Sequence, residues 1–161
     1  MATVELREIR TAEDRAAVLE LRRGLGQERF LGSMESHFED AKAAPDAKPR
    51  MWSVHDGEDL VGFVMISDNI EDPGDDLIGP YYLWRLLIDE AFQGGGYGSA
   101  TIDAVVEYLR SRPNAEILWT SCGKGEAGPL PFYLRYGFEL VGDVQFDEDD
   151  PEHLLRLRLT P

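Results

Sequence analysis

The segment QGGGYGSA, residues 93–100, has the composition of an anion-binding loop. It follows an apolar stretch that predicts a strand, and it leads directly into TIDAVVEYLR, which predicts a helix. Glycine loses more backbone freedom on folding than any other residue, so a glycine run at a helix start requires an explanation. Backbone N–H groups there point outward, the helix dipole favours negative charge, and glycines let phosphate oxygens approach closely. The segment therefore predicts a pyrophosphate site at Gly94, Gly95, Gly96 and Gly98.

Two common phosphate motifs do not account for this loop. GGGYGS lacks the full spacing of the dinucleotide-binding motif and a clear acidic residue after a following strand. It also lacks the Gly-Lys-Ser/Thr of a P-loop. The loop instead matches the pattern Gln/Arg-x-x-Gly-x-Gly/Ala, which runs here from Gln93 to Gly98.

The N-terminal part of the chain predicts one strand followed by two helices. The alternating residues TVELREI predict a strand over 3–9. Thr11 has the type and position of an N-cap for a helix that continues to Gly26. A second helix is predicted over 27–43, and the prolines that follow, beginning with Pro45, end it.

A hairpin and a central strand come next. The dipeptide Asp56-Gly57 is a turn signal between two strands, predicted over 50–55 and 59–67. The stretch YYLWRLLID, residues 81–89, is apolar on both faces, which predicts a strand in the middle of a sheet.

The remaining segments complete a single α/β domain. A helix is predicted over 97–111, a strand over 116–122, and a short helix, PFYLRY, that ends at Gly137. FELVGDVQF and HLLRLRLT predict the last two strands. The order β-α-α-β-β-β-α-β-α-β-β predicts an α/β fold of the α+β kind, with helices flanking a mixed, mostly antiparallel sheet. Because no repeat or linker divides the chain, residues 1–161 are predicted to form one domain.

Composition and charge argue against several classes of protein. The 161 residues include 31 acidic and 16 basic side chains, so the net charge is −15. A nucleic-acid partner is not expected, since phosphate binding needs basic side chains, whereas a cationic ligand would be attracted. No stretch has the length of a membrane span, and the N-terminus lacks the apolar core of a secretory signal, so no membrane partner is expected. The single cysteine, Cys122, cannot form an internal disulfide, which predicts a cytoplasmic protein.

Two motifs together resemble those of the GNAT superfamily of acyl-coenzyme-A-dependent N-acyltransferases. LLIDEAFQGGGYGSATIDAVVEYL is similar to the main coenzyme-binding motif of that family. PFYLRYGFE, residues 131–139, is similar to its second motif, Phe-Tyr-x-x-x-Gly-Phe. The element order agrees with the family fold over nearly the whole chain. The resemblance implies acetyl-coenzyme A as acyl donor, a small amine as acceptor, and no metal.

The resemblance also implies how the donor is bound. The backbone of Leu86, Leu87 and Ile88 would contact the pantetheine arm. The pyrophosphate would be bound by backbone N–H groups of the loop, which comprises Gln93, Gly94, Gly95, Gly96, Tyr97, Gly98 and Ser99. Gln93 stands where the commoner Arg is found and keeps hydrogen-bonding capacity without the charge.

The implied reaction is direct attack of an amine on the thioester. A backbone N–H of the splayed strand, assigned to Leu87, would stabilise the oxyanion. Tyr133 of the second motif would protonate the departing thiolate, since its phenol stays protonated at neutral pH; Tyr136 is the competing tyrosine. The base that deprotonates the amine stays open among Asp89, Glu90 and Glu28. The three histidines lie in ordinary helix or strand patterns and are not favoured.

The acceptor is predicted from a narrower resemblance. YYLWRLLIDEAFQGGGYG and GQERFLGS are similar to the bacterial spermine/spermidine (diamine) acetyltransferases within the family. A polyamine is a polycation that carboxylates and aromatic rings bind through ion pairs and cation–π contacts. The candidate residues for this acceptor site are Glu28, Glu35, Trp84 and Asp89.

Other functions and an assembly state stay open. One alternative is a GNAT acetyltransferase for another amine, such as an aminoglycoside, an amino acid or a protein N-terminus. The other is a non-catalytic sensor that binds acyl-coenzyme A. Many family relatives pair through their C-terminal strands, and the alternating HLLRLRLT could form a sheet edge that needs cover. A homodimer is therefore a hypothesis.

Overall fold

A sheet with helices on both faces forms the described part of the chain, which in this computed structural model comprises residues 2–24, 33–74, 77–126, 128–145 and 151–159. The strands are β1 (Glu5–Glu8), β2 (Pro49–Asp56), β3 (Asp59–Asp68), β4 (Tyr81–Ile88), β5 (Ile117–Gly123), β6 (Glu139–Gln145) and β7 (Pro151–Arg158). The α-helices are α1 (Ala12–Leu19), α2 (Met34–Ala43), α3 (Tyr97–Leu109) and α4 (Leu130–Tyr136), and short 3-10 helices lie at Pro45–Ala47 and Glu90–Phe92. This order of strands and α-helices is the predicted one.

The sheet is mixed and mostly antiparallel, as predicted. The strands lie side by side in the order β1-β2-β3-β4-β5-β7-β6. Among the strand pairs of the described residues, only β4–β5 is parallel. The apolar strand β4 lies in the middle, which confirms the prediction that a stretch apolar on both faces is central. None of the helices within the described residues is long and apolar enough to cross a membrane.

The first two helices are shorter than predicted. Thr11 caps α1 as expected, in a reciprocal capping box with Asp14. The helix nevertheless ends at Leu19 rather than Gly26. The reason is tertiary, because the N–H of Arg22 donates to the Asp89 carboxylate and its carbonyl accepts from the Glu90 N–H, so these groups leave the helical pattern. Helix α2 begins at Met34 after its N-cap Ser33, and residues 27–32 of the predicted helix lie outside those described.

The predicted sheet edge is wrong. Strand β7, which contains HLLRLRLT up to Arg158, pairs with β5 on one side and β6 on the other. The outer position belongs to β6, where Leu140 and Val141 are exposed. Strand β7 pairs with β5 on its inner side, so its hairpin partner β6 takes the outer position in the sheet. A homodimer stays a prediction.

A bulge in β4 changes which side chains face each helix layer. Met65 pairs with Arg85 while Ile66 pairs with Leu83, so Trp84 is an extra residue on β4. Residues that alternate along a strand normally face opposite sides. Beyond the bulge the alternation is reversed, and Leu87 packs with α1 and α2 whereas Leu83 lies in the core against α3.

The two parallel strands separate soon after they pair. The pairing of β4 with β5 comprises only Tyr82 with Trp119 and Leu83 with Thr120. The Thr120 hydroxyl donates to the Leu83 carbonyl at 3.0 Å, which closes the paired end. Beyond this point the strands diverge, and their C-terminal ends face a cavity instead of each other.

The carboxylate of Asp68 joins three elements at the opposite end of the sheet. Its side chain, 4% exposed, accepts hydrogen bonds from Arg50 at 2.7 Å, Arg112 at 3.0 Å and the Tyr108 hydroxyl at 2.5 Å. Arg50 in turn contacts Glu8 at 2.8 Å. Burial opposes ionisation of Asp68, but the hydrogen bonds from Tyr108 and the two arginines outweigh it and lower its pKa. This cluster connects β1, β2 and β3 to the end of α3.

The substitution Asp68→Asn is expected to destabilise the fold by about 2 kcal/mol at neutral pH, because charge-assisted bonds are lost and two guanidinium groups lose their counter-ion. Since the pKa of Asp68 is lower in the folded state than its ordinary value of 3.8, the stability that it contributes is present above that value and declines as pH falls through the folded-state pKa. Urea unfolding at pH 7 and at progressively lower pH measures both effects. The matched control is Glu58→Gln in the exposed hairpin turn. Equal stability of Asp68→Asn and Glu58→Gln at pH 7 would contradict this assignment.

Candidate active site

A cavity of about 990 Å³ occupies the space between the diverging ends of β4 and β5. The start of α3 and the helix α4 form its other walls. Its lining includes Trp84, Arg85, Leu86 and Ile88 from β4, Ser121, Cys122 and Gly123 from β5, Phe132 and Tyr133 from α4, and Glu152 from β7. Strand divergence thus creates the site.

The glycine loop has a backbone that other residues would strain. Gly94 and Gly96 both have φ of 84°, in the left-handed region. Gly96 is the N-cap of α3, and none of the described side chains caps this helix start. The first N–H groups of α3 are therefore oriented as an anion site requires.

Gly98 also allows two helices to pack closely. A Cβ atom placed on Gly98 would lie 3.0 Å from the ring of Phe132. Its missing side chain therefore permits α3 to pack closely against α4. Of the predicted donor residues in this loop, all but Gly95 line the cavity: Gln93, Gly94, Gly96, Tyr97, Gly98 and Ser99.

Two polar side chains fix the position of the loop. The Gln93 amide donates to the Ile88 carbonyl at 3.0 Å, which ties the loop to the end of β4. The Tyr97 hydroxyl donates to Asp56 at 2.6 Å, which ties the start of α3 to the β2–β3 hairpin. Both residues are among those predicted for the donor site, and no local sequence pattern indicates these two contacts.

The register of β4 distinguishes Leu87 from its neighbours. The Asp89 N–H donates to the Val61 carbonyl at 2.8 Å. Because hydrogen-bonding residues alternate along an antiparallel pair, the Leu87 backbone also points towards β3, opposite Phe63. Leu86 and Ile88 direct their backbone groups the other way, and both line the cavity, whereas the Leu87 side chain is 1% exposed in the core. This placement counts against Leu87 as the oxyanion donor and favours Leu86 or Ile88.

Tyr133 lies on the wall opposite β4. Helix α4 ends at Gly137, whose φ of 127° is unfavourable for other residues. The ring of Tyr133 packs between Phe132 and Phe138, with centroid distances of 5.2 and 5.3 Å. Burial raises the pKa of Tyr133, so the phenol is protonated at neutral pH and can donate a proton.

Tyr136, the competing tyrosine, has a structural contact. Its hydroxyl donates to the Asp103 carboxylate of α3 at 2.6 Å. Burial, followed by this hydrogen bond to Asp103, raises its pKa. Tyr136 also lines the cavity, but its hydroxyl joins α4 to α3.

The predicted acceptor residues differ in whether they line the cavity. Trp84 lines the cavity, as expected of a residue that contacts the acceptor. Asp89 does not, because its buried carboxylate accepts the N–H groups of Arg22 and Ala91, both at 2.9 Å. Glu35 is exposed on α2 away from the cavity lining, and Glu28 lies outside the described residues. The placement of Asp89 and Glu35 counts against a direct role in acceptor binding.

An ion pair that was not predicted from the sequence lines the cavity beside Trp84. Arg85 contacts the Asp40 carboxylate at 3.2 Å and donates to His37 Nδ1 at 3.1 Å. Burial, and then the positive charge of Arg85, lower the pKa of His37 to about 4, so this fully buried imidazole is neutral. An arginine inside the apolar strand YYLWRLLI was the available signal.

Two hydroxyl groups and a carboxylate form a hydrogen-bonded chain that was not predicted from the sequence. The hydroxyls of Tyr82 and Ser121 are hydrogen-bonded, and Ser121 donates to Glu152 at 3.2 Å. The neighbouring Cys122 is buried. Burial, and then the charge of Glu152, raise the pKa of its thiol to about 11, which makes it a poor nucleophile at neutral pH. No local sequence pattern connects these residues, which come from three strands.

Replacing Gly96 by alanine is expected to weaken acetyl-coenzyme A binding about tenfold. Alanine in the left-handed region costs about 1–2 kcal/mol, and the loop relieves that strain only by moving the first N–H groups of α3. Calorimetric titration measures the affinity. The control is Gly142→Ala on β6, where an added Cβ meets nothing within 4 Å and the backbone φ is not positive. Unchanged affinity in Gly96→Ala would show that the loop geometry is not needed for the donor.

Comparison with known proteins identifies the family of this chain. Residues 7–138 match the Acetyltransferase (GNAT) family. The chain is 31% identical over 137 residues to the spermine/spermidine N(1)-acetyltransferase of Bacillus subtilis strain 168, an alignment that covers 85% of this chain and 89% of that protein.

Solved acetyltransferase structures have the same fold. The aminoglycoside acetyltransferase AAC(6')-Ib in complex with coenzyme A superposes with a TM-score of 0.75 at 20% identity, covering 97% of this chain and 95% of that one. A chimera of spermidine N-acetyltransferase SpeG from Vibrio cholerae and hSSAT superposes with a TM-score of 0.66 at 17% identity, covering 98% and 97%. The family match over most of the chain, the fold and the two motifs agree: the chain belongs to the GNAT family and is an acetyl-coenzyme-A-dependent N-acetyltransferase.

Proposed function

We propose that this enzyme transfers the acetyl group of acetyl-coenzyme A to a primary amine of a polyamine such as spermine or spermidine. The observation that supports this acceptor most directly is the 31% identity to the Bacillus subtilis spermine/spermidine N(1)-acetyltransferase, which extends over 85% of the chain. The net charge of −15 also favours the approach of a polycation.

In this proposal the donor occupies the β4–α3 side of the cavity. The outward backbone groups of Leu86 and the N–H of Ile88 bind the pantetheine arm in the manner of an added strand, since the Ile88 carbonyl accepts from Gln93. The pyrophosphate lies at the uncapped start of α3, where Gly94 and Gly96 allow the backbone to turn. Gln93 supports the site indirectly, because its amide is bonded to the end of β4.

The acetyl transfer then needs three groups around the thioester. The N–H of Leu86 or Ile88 stabilises the negative charge that develops on the carbonyl oxygen. The amine nitrogen forms a bond to the carbonyl carbon as the carbon–sulfur bond breaks. Tyr133 donates its phenolic proton to the departing thiolate and regains a proton from the attacking nitrogen. The raised pKa of Tyr133 keeps this proton available at neutral pH.

The acceptor lies on the other side of the diverging strands. Trp84 offers an aromatic face, and Asp40 and Glu152 offer carboxylates within the same cavity. Arg85 is paired with Asp40, so its charge is balanced locally. Glu28, which lies outside the described residues, stays a candidate from the sequence.

Coenzyme A release from acetyl-coenzyme A, measured against a panel of amines, tests the acceptor. The panel comprises spermine, spermidine, putrescine, aminoglycosides, free amino acids and short peptides. We expect kcat/KM for spermine or spermidine to exceed that for the other amines by at least about tenfold. Turnover confined to aminoglycosides or amino acids would contradict a polyamine acceptor and identify the true class of amine. Binding of acetyl-coenzyme A without turnover of any amine would favour the sensor alternative.

The substitution Tyr133→Phe is expected to lower kcat by about 10²–10³, because the thiolate then leaves without a positioned acid. The affinity for acetyl-coenzyme A should change little, since the ring and its aromatic packing remain. The matched variant is Tyr136→Phe, which loses the bond to Asp103 and should cost about 1 kcal/mol of stability with kcat within a few-fold of wild type. Steady-state kinetics and thermal melting separate the two. A larger kcat loss in Tyr136→Phe would reverse their assignment.

A further inference from the structure

A hydrogen-bonded chain crosses the cavity where β4 and β5 begin to separate. Tyr82 from β4 and Ser121 from β5 bond through their hydroxyls, and the Ser121 hydroxyl donates to Oε1 of Glu152 from β7 at 3.2 Å. All three residues line the cavity. The chain therefore leads from the strand beside the expected acetyl group to a carboxylate on another strand.

The proposed acetylation requires such a group. A polyamine reaches the enzyme as an ammonium ion, whose nitrogen has no lone pair with which to attack. One proton must leave before the carbon–nitrogen bond forms. Tyr133 cannot be its final acceptor, because it donates to the sulfur.

We propose that Glu152 accepts the proton of the acceptor ammonium through the hydroxyls of Ser121 and Tyr82. The ammonium gives a proton to the Tyr82 oxygen, Tyr82 gives its own to Ser121, and Ser121 gives its own to Glu152. Each hydroxyl loses one proton and gains one, so only the amine and Glu152 change charge. The neutral amine then attacks the thioester, and Glu152 later releases its proton to solvent. This inference rests on the proposed amine acetylation.

The burial of Tyr82 and the partial exposure of Glu152 are both suited to proton transfer along these hydrogen bonds. Tyr82 is 9% exposed, and burial raises its pKa to about 12, so it stays neutral and passes protons rather than holding a charge. Glu152 is only partly buried, which leaves a route from its carboxylate to water.

The other carboxylates near the site contact groups outside this hydrogen-bonded chain. Asp40, which also lines the cavity, forms an ion pair with Arg85 at 3.2 Å. Asp89 accepts two backbone N–H groups at 2.9 Å. Glu90 contacts Arg22 at 3.3 Å. Of these carboxylates, Glu152 is the one that accepts from the Ser121 hydroxyl and so ends the hydrogen-bonded chain.

Several titratable or charged groups surround Glu152, and they define what a pH profile reports. The elements packed around it contribute Tyr82 and Arg85 from β4, Cys122 from β5, Lys124 just after β5, Tyr133 from α4, Asp143 from β6 and His153 from β7. Lys124 is paired with Asp143 at 2.8 Å, and the pKa of Cys122 is raised to about 11 by burial and by Glu152. Because several such groups lie near Glu152, the experiment compares variants and does not rely on one pH profile.

The test is the pH dependence of kcat/KM from pH 6.5 to 10 for wild type, Glu152→Gln and Ser121→Ala, with the best amine of the panel. We expect both variants to lose about 100-fold near pH 7. The loss should shrink below about tenfold near pH 10, because the free amine then forms without a base. Acetyl-coenzyme A affinity and melting temperature should match wild type in at least one of the two variants.

The control is Glu139→Gln on β6, which removes an exposed carboxylate that contacts Arg158 at 3.0 Å outside the cavity. Its profile should follow that of wild type. A loss in Glu152→Gln that is equal at every pH, or confined to KM, would assign Glu152 to amine binding and overturn the proton-transfer role. If Ser121→Ala keeps the wild-type pH profile, the proton does not pass through the hydroxyl chain. Wild-type turnover with an unchanged Glu152→Gln profile overturns this inference alone, whereas absence of wild-type turnover with every amine overturns the proposed function and this inference with it.

Discussion

The separation of β4 from β5 after two paired residues is the constraint on which the site depends. The Thr120–Leu83 hydrogen bond closes the paired end, and no strand fills the space beyond it among the described residues. Unpaired backbone groups in a folded protein need another partner. On β4 these groups belong to Leu86 and to the N–H of Ile88, whose carbonyl already accepts from Gln93, and an extended ligand arm can satisfy them. The same separation creates the cavity and brings Tyr133 opposite the strand end.

The bulge at Trp84 determines which residues of β4 can take part. Without it, Leu83 and Leu87 would share a face of the sheet. With it, Leu87 lies in the core against α1 and α2, and Leu86 and Ile88 face the cavity. The extra residue is itself an aromatic cavity-lining side chain, so one irregularity both reverses the alternation along the strand and supplies part of the cavity wall.

Charge is balanced locally in this acidic protein. Arg50 and Arg112 share Asp68 at the closed end of the sheet, and Arg85 contacts Asp40 at the open end. At the open end, the Asp40 carboxylate offsets the charge of the Arg85 guanidinium, which in the proposed function lets a polycationic acceptor enter beside Arg85.

The sequence alone determined the element order, the Thr11 cap, the Asp56-Gly57 turn and the two motifs at Gly94–Gly98 and Tyr133. These features depend on backbone preferences and contacts within a few residues, which a local pattern records. Only the tertiary structure decided that Leu87 faces the core, that Asp89 binds the Arg22 and Ala91 N–H groups, and that β6 rather than β7 lies at the edge. It alone also brought Tyr82, Ser121 and Glu152 together across gaps of 39 and 31 residues. Such contacts follow from strand register and from a single bulge, and a shift of one residue in either reverses every side chain that follows.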